Sequence, residues 1–145
     1  MGAYKKLYLE DANNLMRLLF EETSKDKEYD FSYFVDGFFN CKYRKLLDIG
    51  STRVINMTYD ELISYLKKDC SNIYKKGYFS IDSLQAGWIG EIYNTIQFIL
   101  KISSSEIYKR LPLDKIMRYF VPLHTVSYEI ATETIIKNVF NREAI

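Results

Sequence analysis

Residues 83–101 read SLQAGWIGEIYNTIQFILK, and this stretch decides the fold. Leu84, Trp88, Ile92, Ile96 and Ile99 recur at steps of four, four, four and three, the spacing of one stripe along an α-helix. Ile89, Tyr93 and Leu100 widen that stripe. A helix that is apolar over so broad an arc needs neighbours on several sides, which places it in the middle of the domain. Gly87 and Gly90 lie inside it, and each costs about 1 kcal/mol relative to Ala in a helix interior. Close packing of a crossing helix is the preferred reason for them. Backbone presented to a partner is the alternative.

The same helical spacing continues outward in both directions. Upstream, Tyr8, Ala12, Leu15 and Leu19 mark a first helix over residues 5–22. Asp30 can cap a second helix, whose face is Val35, Phe39, Tyr43 and Leu46 and whose stop is Gly50. Residues 51–57 (STRVINM) are the one stretch that reads as extended. Thr58 and Glu61 form a capping box, in which each side chain satisfies an orphan backbone donor of the other. It opens a helix carrying Leu62, Leu66 and Cys70, and a loop around Gly77 follows. Downstream, Ser103 and Glu106 make a second capping box, opening a short helix through Arg110. Pro112 suits the first turn of the next helix, which runs to about Phe120 and which Pro122 ends. A last helix covers residues 126–140, with Ala131, Ile135 and Val139 on its face. The expected architecture is all-α: a compact orthogonal bundle of six or seven helices around the 83–101 helix, as a single domain over residues 1–145.

Composition agrees with that picture. The chain has 145 residues, 48% of them hydrophobic, with nine Phe, thirteen Tyr and one Trp. A domain of this length can bury roughly 70% of its unfolded-chain surface and needs no staple. The formal net charge is +1, with basic pairs scattered and mostly followed by acids, so the concentrated surplus of a nonspecific nucleic-acid binder is missing. Cys41 and Cys70 are far apart in sequence; two isolated cysteines in a helical chain are more often reduced core residues, though a single disulfide stays open. The N-terminal MGAYKKLYLEDANN has no uninterrupted apolar core of a signal peptide, and Lys6 stands where a myristoylation signal needs Ser or Thr. No run approaches the ~18 apolar residues of a membrane span. The cytoplasm is the expected location.

Tests for chemistry return little. One histidine and two distant cysteines supply no metal motif, and neither a P-loop nor a dinucleotide fingerprint is present. His124, in Pro-Leu-His-Thr before the last helix, can be read as a loop-borne base or partner contact. The preferred reading is a side chain that bonds a backbone carbonyl and fixes the turn. Arg44, Lys45 and Arg53 around Gly50, with Tyr43 beside them, form the densest basic feature. It suits an acidic partner surface, or else a solvated helix end where cations favour the dipole. The helix–turn–helix order over residues 103–120 offers few side chains for reading base edges. No catalytic residue, metal ligand or cofactor is expected.

Two blocks carry a resemblance. The first is Tyr43-Arg44-Lys45-Leu46-Leu47-Asp48 with Gly50-Ser51 and Arg53-Val54-Ile55. The second is Ala86-Gly87-Trp88-Ile89-Gly90, Tyr93 and Gln97, Ser104-Ser105-Glu106-Ile107-Tyr108, Arg110-Leu111-Pro112-Leu113, Tyr119 and Leu123-His124. Together they resemble a group of small, uncharacterised helical proteins of Firmicutes and Actinobacteria. Their genes tend to sit beside toxin–antitoxin genes, including those of ADP-ribosyltransferase-like toxins. The resemblance covers the last two thirds of the chain and implies an antitoxin or accessory binding role, with no catalytic residues to carry over. In the group, aromatic residues often follow the Trp, where this chain has Asn94-Thr95-Ile96. The expected function is therefore a protein-binding module, with a toxin as the implied partner and Tyr43, Arg44, Arg53 and His124 as the expected contact residues. The alternatives are a nucleic-acid-binding regulator and a small enzyme with a pocket lined by Tyr, Arg and Glu.

Overall fold

The computed structural model describes residues 6–141. Nine α-helices and two 3-10 turns are found among them, and no strand; Tyr29 and Lys76 form an isolated antiparallel bridge. Helix α6 (Ser83–Leu100) is central, and every residue from Ala86 to Gln97 is buried. It packs mainly along α1 (Leu9–Lys25) and also meets α7 (Ser104–Arg110), α8 (Leu113–Leu123) and α9 (Tyr128–Val139). The glycines serve this packing. A Cβ on Gly90 would stand 2.8 Å from the Met16 carbonyl oxygen, and one on Gly87 would stand 2.6 Å from Glu21 Oε1. At position 90 the obstacle is the backbone of α1, so a side chain there would force the two helices apart. Leu84 departs from the expected stripe: it is 73% exposed in the first turn of α6, where Ala86 rather than Leu84 faces the interior.

Local signals place most helix starts. Asp30 accepts from the Tyr33 amide, and Ser127 Oγ from the Ile130 amide. At Thr58 both halves of the capping box are made, at 3.2 and 3.0 Å, and α5 (Tyr59–Asp69) follows. Ser103 caps α7 through the Glu106 amide, but among the described residues the Glu106 carboxylate does not return the bond and lies 3.8 Å from Lys109 Nζ. The first helix begins later and ends later than expected, after a 3-10 turn at Lys6–Tyr8; Lys5 lies outside the described residues.

Three expectations are corrected. The helix from Asp30 to Gly50 is two helices, α2 (Phe31–Phe38) and α3 (Lys42–Asp48). The Asn40 side-chain amide takes the Asp36 carbonyl while its own backbone amide turns to Gly37, so the ladder breaks there. Residues 51–57 are not extended; they contain a single helical turn, α4 (Thr52–Ile55). Gly50, at φ 83°, ends α3 with the Gly50 amide on Leu47 O and the Ser51 amide on Leu46 O, a Schellman closure. The chain then turns so that the adjacent Val54 and Ile55 are both buried, which a strand with one face to solvent would not allow. Pro122 does not end α8, which continues to Leu123: a proline so near a C-terminus removes one bond, and the His124 amide recloses the end on Phe120 O at 2.8 Å. These changes raise the count from the expected six or seven helices to nine.

Cys41 and Cys70 are both free and buried. Burial, reinforced by the nearby Cys70 thiol, pushes the Cys41 thiol up to about 11. No helix among the described residues is long and apolar enough to cross a membrane.

Candidate functional site

The residues expected at a contact surface separate into three environments. Arg44 is only 1% exposed and belongs to the interior. Its Nε donates to Asp48 Oδ1 at 3.0 Å and its Nη1 to Asn94 Oδ1 at 2.9 Å. Asp48 in turn accepts from the Ser104 amide at 2.8 Å and the Ser104 hydroxyl at 2.6 Å, so the carboxylate caps the start of α7 from the end of α3. Asn94 continues the chain of bonds to Asn13 at 2.7 Å, and Gln97 donates to Asp48 O and Ile102 O. Arg44 therefore cannot present its guanidinium to a partner. It pins α3 to the central helix.

His124 is exposed, with its ring stacked on Phe120 at 4.5 Å and Nδ1 2.8 Å from the Phe120 carbonyl oxygen. This is the turn-fixing role. No described contact joins it to Tyr43 or Arg53.

Tyr43 and Arg53 do meet. Tyr43 is buried as a floor, its hydroxyl bonded to Asp69 at the end of α5. Burial and that carboxylate push its hydroxyl up to about 12, while the same bond draws Asp69 below the usual carboxylate range. The exposed Arg53 guanidinium lies 5.8 Å from the Tyr43 ring centre and 5.7 Å from that of Tyr65, and Lys42 Nζ lies 5.3 Å from Tyr43. Tyr65 is 37% exposed and borders a shallow groove with Asp60, Glu61, Ser64 and Lys68. The sequence hinted at Tyr43 and Arg53. It gave no hint of Tyr65 and Asp69, which α5 brings from further along the chain.

A second site was missed, although it carries a signal: Glu91 is the single charged residue within α6. Its carboxylate is 3.2 Å from Arg17 Nε and hydrogen-bonded to Tyr128, and Arg17 also reaches Glu21 at 3.2 Å. Glu91 and Tyr128 line a cleft of about 340 Å³ with Leu9, Glu10 and Asn13. Burial raises the Glu91 carboxyl above its usual range, against the pull of Tyr128 and Arg17, and raises Tyr128 to about 12. A buried, perturbed carboxyl in a cleft can hold a proton for acid–base work.

The sign of that shift makes a test. The folded protein holds the Glu91 proton to higher pH than the unfolded chain does, so the contribution of Glu91 to stability is present below the ordinary carboxylate range and is lost as pH rises through the folded value. Glu91→Gln does not titrate. Its stability relative to wild type is expected to improve from pH 4 to pH 7 in urea denaturation. A gap that moves the other way would mean that the Arg17 pair dominates and holds the carboxylate ionised.

Among the described residues no group of three or more His, Cys, Asp or Glu could hold a metal ion. No family model, curated protein or solved structure matches the chain.

Proposed function

We propose that the chain is a protein-binding module acting in the cytoplasm, and that its contact surface is the face formed by Arg53, Tyr65 and Lys42 over Tyr43. The observation that carries this reading is the exposed Arg53 guanidinium lying against two tyrosine rings. Arginine and tyrosine are the side chains that most often anchor interfaces, since they combine large area with directional hydrogen bonds. A guanidinium already held against rings loses little freedom when a partner covers it. Balanced net charge favours a protein partner over nucleic acid. The resemblance to the small helical proteins found beside toxin genes makes an antitoxin or accessory partner of a toxin the specific form of the proposal.

Arg53→Ala with Tyr65→Ala is expected to weaken the partner complex by at least about tenfold, the loss of one anchor of ~1.4 kcal/mol. Helix content and melting temperature should stay close to wild type, because both side chains are at the surface. The measurement is affinity purification of wild type and variant from the native host, followed by titration of the recovered partner. Full binding by the variant would remove this face from consideration. Salt separates the nucleic-acid reading, whose affinity would fall steeply with ionic strength.

The enzyme reading has one observation in its favour, the raised carboxyl of Glu91 beside Tyr128 and Arg17. Turnover of a substrate by purified wild type, lost in Glu91→Gln, would replace the binding-module reading with this one.

A further inference from the structure

Helices α1 and α9 both pack on α6, and between them a groove stays open along the second half of α6. The Glu91 cleft is one end of it. From there the hollow continues past Leu9, which lines both parts, to Phe98 and Ile99. Glu91, Thr95 and Ile99 follow one another at steps of four, so they share one face of α6, and eight residue steps give the groove a length of ~12 Å. Leu9, Phe98 and Ile99 are half-buried: each packs on the core by one side, and the other side is the floor of the groove.

Both walls carry acid. Glu10 stands on the α1 wall, and Glu129 and Glu133, four residues apart, stand on the α9 wall. All three are exposed, and among the described residues none of their carboxylates takes part in an ion pair. Glu91 is already paired with Arg17 at 3.2 Å, and Lys6 is the one base among the described lining residues. Three free carboxylates against one ammonium leave an excess of two negative charges, on a chain whose net charge is +1. An apolar floor between acidic walls is complementary to a helix with an apolar stripe and basic flanks, since Lys and Arg lay their stems on apolar surface and carry the charge to the rim.

We propose that this groove docks a basic amphipathic helix of a partner protein. About two turns of that helix match the ~12 Å of open α6. Its apolar side chains cover Leu9, Phe98 and Ile99. Its Lys or Arg side chains meet Glu10 on one wall and Glu129 and Glu133 on the other. The groove shares no residue with the Arg53 face, so the proposal goes beyond that reading and stands or falls apart from it.

The test needs no native partner. The full chain is titrated with a blocked peptide of about 14 residues, long enough to form a helix on contact, with Leu at helical spacing and Lys on both flanks. A control peptide has Glu for every Lys. Amide chemical shifts report binding. The Lys peptide is expected to bind, with shifts confined to residues 6–14, 91–99 and 128–133, and the Glu peptide is not. Glu133→Lys should weaken binding by about tenfold, because a like charge then faces the peptide across the rim. Glu22→Lys makes the same change of charge on α1 but twelve residues from Glu10, ~18 Å away along the helix, and should alter affinity less than about twofold. Ile99→Ala should weaken binding severalfold by removing part of the floor. Absence of binding, or shifts centred elsewhere, overturns the proposal. Equal losses in Glu133→Lys and Glu22→Lys overturn it too, since the attraction would then be general charge. A dimer in sedimentation velocity that the peptide dissociates, or more than about tenfold tightening on deletion of residues 2–5, overturns it in favour of a second copy or the chain's own N-terminal segment as the occupant.

Discussion

Asp48→Ala is expected to destabilise the protein by about 3–5 kcal/mol, the cost of removing one partner from a buried ion pair. Asp48 is 2% exposed and Arg44 1%. The carboxylate accepts Arg44 Nε and both the amide and hydroxyl of Ser104. Its deletion leaves a guanidinium buried without a counter-charge and strips the first amide of α7 of its acceptor. The loss is a large share of the about 5–15 kcal/mol that holds a typical domain together. Arg44→Met should be milder, because Asp48 keeps its two bonds to Ser104. The double variant Arg44→Met with Asp48→Leu should lose less than the sum of the singles, since no charge is left unpaired. Urea denaturation followed by circular dichroism measures all three. A loss under about 1 kcal/mol for Asp48→Ala, the size of an exposed pair, would show that water reaches the site.

Trp88→Ala is expected to cost about 3–5 kcal/mol, through lost burial and the cavity left behind. Trp88 is 6% exposed and stands edge to face on Phe120, with ring centres 5.4 Å apart at 80°. It joins α6 to α8 one turn after the exposed Leu84. Trp88→Phe should recover part of the loss by refilling the space. Because the chain has a single Trp, its emission in wild type should be blue-shifted and should move to the red in the same transition seen by circular dichroism. A near-neutral Trp88→Ala would place the ring on an open surface and make the α6–α8 edge a candidate contact face.

The candidate sites were legible to different depths. Tyr43 and Arg53 could be marked as the types that anchor interfaces, but the sequence ranked Arg44 beside them. Arg44 and Asp48, four apart on a helix, look like an ordinary exposed pair. What makes them interior is Asn94, 50 positions away, and Ser104, 56 positions from Asp48. Glu91 could have been singled out as a lone charge in an apolar helix. Its partners, Arg17 and Tyr128, come from opposite ends of the chain and could not.

The sequence by itself determined that the chain is helical, where most helices begin, and which one lies at the centre. Those features rest on interactions within about four residues: Asp30, Thr58 and Ser127 reach amides three positions on, Gly50 takes the left-handed turn that closes α3, and the apolar residues of α6 repeat with the helix itself. Tertiary structure alone decided the helical turn at Thr52–Ile55, the interior place of Arg44 and the meeting of Tyr43, Arg53 and Tyr65. Each depends on which distant element covers a side chain. Burial changes the energy of a charge by more than the helix propensity of an ordinary residue does, and no spacing within one helix encodes it.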